Sequence, residues 1–229
     1  GLPWTGRRAD APGLSVVARR FRDFPLLNTP HAFAGALQDT LSLALVAAAL
    51  GPAAAGFWGL ALRYLKAPAT LVGTAVSQAL YPRLAGGGAS RETRQAVRRV
   101  MALLALLAAP LVAALWLAGP WAFGVLFGPA WIEAGELSRA LGLYIGLHFV
   151  ASPLAVVTMA WHAQAWALRF SLVGQVAFIL ALAAGLQQGG LGGAGWAVSA
   201  AMTVYFGAYF WRLATWPVAP GAEVKQSIP

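Results

Sequence analysis

Apolar runs alternate with short turn or charge signals along the whole chain, and each run is long enough to cross a bilayer. Six spans are predicted, at about residues 26–50, 53–84, 99–118, 134–160, 164–186 and 192–214. Because a helix rises about 1.5 Å per residue, about 20 residues cross the hydrocarbon core. Turn signals such as Gly51-Pro52 and Gly119-Pro120 separate the spans. The pattern predicts an all-α membrane protein built as a bundle of six transmembrane helices.

Two segments depart from the simple span pattern. The second span, if helical throughout, reaches about 48 Å, and Pro68 offers a place for it to bend. The segment 120–131 is too short to span, so we expect a helix or loop that lies in the membrane interface.

Composition supports the membrane assignment and narrows the partners. Of the 229 residues 59% are hydrophobic and only 10% are charged, with a mean hydropathy of +0.68. The net charge of +9 does not indicate nucleic acid, because the basic residues cluster at the ends of apolar runs and not in a surface stripe. The chain has no cysteine, which excludes disulfides and thiolate metal sites.

The distribution of basic residues predicts the orientation in the membrane. Six spans divide the loops into two sets, and the loops 51–52, 119–133 and 187–191 contain no Lys or Arg. The other set contains Arg7, Arg8, Arg19, Arg20, Arg22, Arg83, Arg91, Arg94, Arg98, Arg99, Arg169, Arg212 and Lys225. By the positive-inside rule both termini of this segment face the cytoplasm. We therefore expect a cytoplasmic basic linker at 1–24, which joins the chain to an earlier part of a longer protein, and a cytoplasmic tail at 215–229.

Polar residues inside the first two spans recur at helical spacing. The first stripe consists of His31, Gly35, Gln38 and Ser42, with Asp39 beside it. The second stripe consists of Arg63, Lys66, Thr70, Thr74, Ser77 and Tyr81, with Gln78 adjacent. Two neighbouring helices thus each present a polar face.

Asp39 and Arg63 are expected at matching depth, each about 17 Å along a straight helix from the turn at Gly51-Pro52. A charge at this depth costs at least about 2.5–3.5 kcal/mol unless it is paired or wetted. One interpretation is that the two residues only neutralise each other and fasten the helices together. The other is that they line a water-filled cavity, which Lys66 would make net cationic and suited to an anionic solute such as a phosphate-linked lipid. The predicted cavity residues are Arg63, Lys66, Gln38, Asp39, Ser77, Gln78 and His31.

Other polar residues have more ordinary interpretations. Arg139 either snorkels to the interface or lines the cavity mouth, and His148 either forms an interhelical hydrogen bond or carries protons. Glu133 and Glu136 lie where a helix start favours acids. No metalloprotease motif, nucleophile elbow or phosphate-binding loop is present, so we expect no enzymatic activity and no cofactor.

Several motifs in their order resemble those of bacterial polysaccharide-biosynthesis membrane proteins, the lipopolysaccharide O-antigen flippases of the multidrug/oligosaccharidyl-lipid/polysaccharide exporter superfamily. The similar segments are Asn28-Thr29-Pro30, Leu37-Gln38-Asp39, Leu50-Gly51-Pro52, the run from Ala67-Pro68 through Ser77-Gln78 to Tyr81-Pro82, and Leu126-Phe127-Gly128-Pro129-Ala130-Trp131 followed by Ala134-Gly135. The resemblance extends from Phe21 to Leu213.

The resemblance implies that the chain is the C-terminal half of a transporter with two six-helix lobes. Such a transporter flips an undecaprenyl-diphosphate-linked glycan across the bacterial inner membrane by alternating access, with membrane lipid and the missing N-terminal lobe as its other partners. The family's cationic cavity maps here onto Arg63 and Lys66. A cation-coupled multidrug or small-solute exporter of the same superfamily is the alternative, with Asp39 as the site of H⁺ or Na⁺. A membrane glycosyltransferase, polymerase or ligase, and a purely structural membrane partner, are two further alternatives.

Overall fold

The computed structural model describes residues 23–86 and 88–218, with side chains from Phe33 onward. Most of the predicted linker 1–24, the last eleven residues of the predicted tail and the side chain of His31 lie outside this description. The described part consists of helices and turns and contains no strand. The helices are α1 Asp23–Leu50, α2 Pro52–Ala85, α3 Arg91–Phe127, a 3₁₀ turn Pro129–Trp131, α4 Ile132–Ala160 and α5 Gln164–Ala214.

Helix α5 is broken into two arms, 164–188 and 191–214. The backbone leaves helical geometry at Gly189 and Gly190, and Gly190 has a φ of +58°, which favours glycine. The arms then run side by side: a Cβ on Gly185 would lie 2.5 Å from the carbonyl oxygen of Gly193. The glycine-rich sequence therefore permits both the sharp reversal and the close contact of the two arms.

The side-chain contacts fix the directions of the helices. Ser42 of α1 contacts Trp58 of α2, and Asp39 contacts Lys66, so these two helices are antiparallel. Helices α3 and α4 are also antiparallel, since Gly119 faces Ser138 and Gly146 faces Val112. Helices α2 and α4 run parallel, because Gly73 and Ser77 both contact the backbone near Pro153 while Lys66 lies beside Tyr144.

This arrangement gives the bundle two chemically different ends. One end joins α2 to α3 and α4 to α5, and Arg94 Nη1 donates there to the carbonyl oxygen of Trp216, 3.3 Å away. It carries Arg83, Arg91, Arg94, Arg98, Arg99, Arg169 and Arg212. The other end holds Gly51, the 3₁₀ turn and the α5 break, which contain no Lys or Arg. We call them the arginine-rich end and the neutral end.

The sequence predicts that α3 ends at Gly119-Pro120. In the structure the helix continues through Pro120 to Phe127. A proline inside a helix leaves the carbonyl four residues earlier without its usual donor. Here that carbonyl belongs to Trp116, and Arg139 Nε of α4 donates to it at 2.9 Å. The expected interfacial segment 120–131 is thus largely the last turns of α3, followed by the 3₁₀ turn.

Four of the described helices are long and apolar enough to cross a membrane: α1 over Phe33–Leu50, α3, α4 with the preceding 3₁₀ turn, and α5. Helix α2, which carries Arg63, Lys66 and Arg83, is not among these four. Leucine, valine and tryptophan side chains on the outer faces of α1, α3 and α5 are exposed, as expected for surfaces in contact with lipid.

Candidate functional site

An ion pair between α1 and α2 is the centre of the candidate site. Lys66 Nζ lies 3.4 Å from Asp39 Oδ1 and 5.8 Å from the ring centroid of Tyr144 on α4. The Lys66 side chain is 23% exposed, whereas that of Asp39 is 60% exposed. The ammonium is therefore held between a carboxylate and an aromatic face, and the carboxylate keeps most of its surface open to another ligand.

The ion pair differs from the expected one, since Asp39 pairs with Lys66 and not with Arg63. Arg63 and Lys66 differ in the side of α2 on which they lie as well as in their depth along it. Leu62, Leu65 and Ala69 are buried on the inner side of α2, and Lys66 lies on that side, whereas Arg63 is exposed. Arg63 forms no ion pair with a described residue and does not line the cavity.

A hydrogen bond fixes the α1–α2 hairpin beside the ion pair. Trp58 Nε1 donates to Ser42 Oγ at 3.2 Å, and both side chains are fully or almost fully buried. The Trp58 ring also packs edge-on against Phe178 of α5, with centroids 6.3 Å apart. Because a buried indole N–H without an acceptor is costly, this bond specifies how the two helices face each other.

A cavity of about 380 Å³ opens beside the ion pair. Residues of α1, α2, α4 and both arms of α5 line it. Its polar lining residues are Gln38, Asp39, Lys66, Tyr144, His148, Ser152, Thr158, Gln164, Ser171, Gln175, Tyr205 and Tyr209. Its volume is in the range of ligand pockets, and convergent polar groups on an aromatic wall are typical of such sites.

The cavity extends toward the arginine-rich end and stops well before the neutral end. Gln164, the first residue of α5, lines it on one side. The lining residue nearest the neutral end is Phe178, eleven positions before Gly189, which is about 16 Å along a helix. Between them lies packed core, including Leu141, Leu182 and Ala194, each fully buried. The cavity is therefore closed toward the neutral end.

Of the other predicted cavity residues, some line the cavity and some do not. Gln38 lines the cavity beside Asp39. Ser77 does not, because its hydroxyl donates to the carbonyl oxygen of Pro153 at 3.1 Å and joins α2 to α4. Gln78 is exposed and lies outside the lining. The position of the His31 side chain is not described, so its role stays a prediction.

The aromatic and amide side chains of α5 were not predicted from the sequence to line a cavity. Phe170, Tyr205 and Tyr209 line the cavity, as do Gln164 and Gln175. In an apolar span an aromatic residue usually lies in the core or faces lipid, so there was no reason to place these rings in a cavity. The signal available was the spacing of Gln164, Ser171 and Gln175, which puts three polar groups on one face of an apolar helix.

The two isolated polar residues of α4 have different environments. His148 lines the cavity and contacts the rings of Tyr144 and Phe206, and it forms no hydrogen bond with a described residue. Arg139 is part of the α3–α4 contact, where Nη1 binds both carboxylate oxygens of Glu136 at 3.2 Å and Nε binds the Trp116 carbonyl. Arg139 is not a cavity residue.

The fold and the site define a class: a multi-pass helical membrane protein with a polar cavity inside one helical bundle. The family model described as "Polysaccharide biosynthesis protein" matches residues 17–136. The chain belongs to this family. No curated protein and no solved structure matches the chain significantly.

Proposed function

We propose that this chain forms the C-terminal lobe of a 6+6-helix transporter that flips lipid-linked oligosaccharide precursors across the bacterial inner membrane. The single observation that carries the proposal is the Lys66–Asp39 pair in a one-sided cavity, in a chain of the polysaccharide biosynthesis family. Both arms of α5 act as spans in this proposal, which gives six. The partners are membrane lipid, an undecaprenyl-diphosphate-linked glycan and an N-terminal lobe.

Lys66 is the group that meets the anionic headgroup. Its ammonium is already within reach of one carboxylate, and a diphosphate carries more negative charge than Asp39 and accepts more hydrogen bonds. The exchange of Asp39 for a diphosphate keeps Lys66 paired, so the cation never has to stand alone in a low-dielectric site. Gln38, beside Asp39, adds an amide donor to the same wall.

The one-sided cavity supports alternating access. With the arginine-rich end in the cytoplasm, as the positive-inside rule predicts, the cavity extends toward the cytoplasm and is closed toward the periplasm. That is the loading state of an exporter. Release toward the periplasm requires the helices that pack around Leu141 and Leu182, which are fully buried inside this lobe, to separate from one another.

The test replaces Lys66 in the full-length protein in the producing cell. Lys66→Gln should abolish glycan export and leave the amount of protein in the membrane unchanged, and Lys66→Arg should retain part of the activity because the charge remains. Arg83→Gln, an exposed change near the end of the same helix, is the matched control. Unchanged export in the Lys66→Gln strain would refute the proposed role of Lys66.

A cation-coupled small-solute exporter remains the second candidate, because the Asp39 carboxylate is 60% exposed and accessible to an ion. A deletion strain separates the two functions. Lipid-linked glycan should accumulate in it if the flippase proposal is correct. Increased sensitivity to cationic drugs with no accumulation would favour the exporter.

A further inference from the structure

A row of stacked aromatic rings forms one wall of the cavity. Phe170 and Tyr205 have centroids 4.7 Å apart and planes 25° apart, and Trp166 stacks on Phe170 at 5.0 Å and on Tyr209 at 6.0 Å. Phe170, Tyr205 and Tyr209 line the cavity, while Trp166 supports them from behind. We call Phe170, Tyr205 and Tyr209 the aromatic shelf.

The backbone of α5 is shaped to hold this shelf. A Cβ on Gly174 would lie 2.5 Å from Cζ of Tyr205 and 2.6 Å from Cε2. The Tyr205 ring therefore rests on the bare backbone of the first arm, one turn after Phe170. This arm covers one side of the ring, and the part of Tyr205 that is left uncovered lines the cavity.

Unpaired amides lie near the shelf. Gln164 and Gln175 line the cavity on the first arm, form no hydrogen bond with a described residue and keep accessible polar atoms. Inside a membrane protein, polar side chains without partners require water or a ligand. Each amide offers both a donor and an acceptor, which is the pairing that a sugar hydroxyl also offers.

The aromatic shelf does not touch the Lys66–Asp39 pair directly, but a chain of ring contacts connects the two. Tyr144, which holds Lys66, packs on Phe206 at 6.4 Å, and Phe206 packs on Tyr205 at 5.1 Å. Tyr209 lies one turn further toward the arginine-rich end. The cavity thus has a charged part at Lys66 and Asp39 and a neutral aromatic part that extends toward the arginine-rich end.

From this juxtaposition we propose that the aromatic shelf is a binding subsite for a neutral pyranose. A pyranose with equatorial hydroxyls presents polarised C–H groups on its faces and hydroxyls at its rim, which matches an aromatic face beside free amides. The proposal rests on the proposed function, because it assigns the sugar of the same substrate whose anionic group meets Lys66. At about 380 Å³ the cavity is near the lower limit of ligand pockets, so the subsite takes the first sugar and not a long glycan.

The test measures the Kd of two probes for the full-length protein in phosphatidylcholine nanodiscs. Chitotriose, of which only one terminal pyranose should enter the subsite, is the neutral sugar probe, and farnesyl diphosphate is the anionic probe. Tyr205→Leu should raise the Kd for chitotriose about 5- to 10-fold and change that for farnesyl diphosphate less than about twofold. Tyr205→Phe keeps the ring and should stay within about twofold of wild type for both probes. Lys66→Gln should give the opposite pattern.

Phe210→Leu is the matched control, since Phe210 stacks on Phe206 at 6.0 Å on the same arm but does not line the cavity. It should leave both Kd values unchanged, and thermal unfolding should show that every variant is folded. Equal chitotriose affinity in wild type and Tyr205→Leu would show that the stack is packing only. Binding of farnesyl diphosphate without binding of chitotriose would overturn the subsite and leave the proposed function standing. Binding of chitotriose alone would overturn the role of Lys66 instead.

Discussion

The crossing of α3 and α4 near the neutral end should be highly sensitive to a single added methyl group. A Cβ on Gly135 would lie far inside van der Waals contact of Cα of Pro120 and 2.8 Å from the carbonyl oxygen of Gly119. Ordinary contact between carbon atoms is about 3.5–4.0 Å. Both obstacles are backbone atoms, which cannot rotate away as a side chain can. Gly135→Ala therefore requires the two helices to separate or to slide.

The size of the effect follows from this geometry. Overpacking a well-packed site costs about 1–3 kcal/mol. Gly207→Ala is the control, because Gly207 is also inside a helix but has no atom within 4 Å of an added Cβ. This control should be neutral or gain up to about 1 kcal/mol in helix propensity. At about 2–4 °C per kcal/mol for a chain of this size, the Tm of Gly135→Ala should lie several degrees below that of Gly207→Ala.

The assay is thermal unfolding of the purified protein followed by intrinsic tryptophan fluorescence, for which the chain has ten tryptophans. Circular dichroism at low temperature should show the same helix content in both variants, since the change affects packing and not helix formation. Equal Tm values for the two variants would show that the α3–α4 contact has room for the added methyl group, and the predicted cost of Gly135→Ala would be refuted.

Three further changes test the hairpin, a helix start and the cavity. Ser42→Ala removes the acceptor of the buried Trp58 indole and should lower the free energy of unfolding by about 1–3 kcal/mol in a denaturant titration. Ser90→Ala removes the side-chain cap of α3 and should cost about 0.5–2 kcal/mol, with faster hydrogen exchange confined to the first turn. Because the chain has no cysteine, Gln175→Cys should react with a water-soluble maleimide through the cavity, whereas Ser138→Cys, at a fully buried position, should not.

Helical spacing predicted the polar faces of α1 and α2 but not the direction of each side chain. Counting residues from Gly51 gave Asp39 and Arg63 the same depth, and the observed partner, Lys66, lies only one turn further along α2. Depth follows from the rise per residue alone. The choice between two cations about 60° apart around the helix depends on which side α4 covers, and this is a property of the tertiary fold.

The end of α3 shows a second limit of local signals. Gly119-Pro120 is a strong stop signal in isolation, because proline removes a helical hydrogen bond. The structure supplies a substitute donor from Arg139, twenty-three residues after the carbonyl of Trp116 that accepts it. A long-range bond of this kind has no local sequence pattern, so the continuation of the helix could not be predicted.

The cavity's aromatic wall was beyond prediction for a related reason. Phe170 and Tyr205 belong to different arms of α5, and they meet because the chain reverses at Gly189 and Gly190. The sequence located that reversal correctly as a separator of two apolar runs. It could not give the rotation of the two arms about their axes, and this rotation decides which rings face the cavity and which face lipid.

The exposed face of α2 carries two polar side chains that have no hydrogen-bond partner among the described residues. Thr70 and Thr74 need none, because each donates its hydroxyl to a carbonyl one turn earlier in the helix. Arg63 and Gln78 are exposed on the same helix and have no hydrogen bond to a described residue. In the proposed six-span lobe Arg63 lies about 17 Å from the start of α2, at a depth where contact with lipid would cost at least about 2.5–3.5 kcal/mol. In the proposed transporter, a water-filled space between this face and the second lobe would remove that cost, and Arg63 would add positive charge to that space. Arg63 and Lys66, which were predicted to line one cavity, would then face two adjacent spaces.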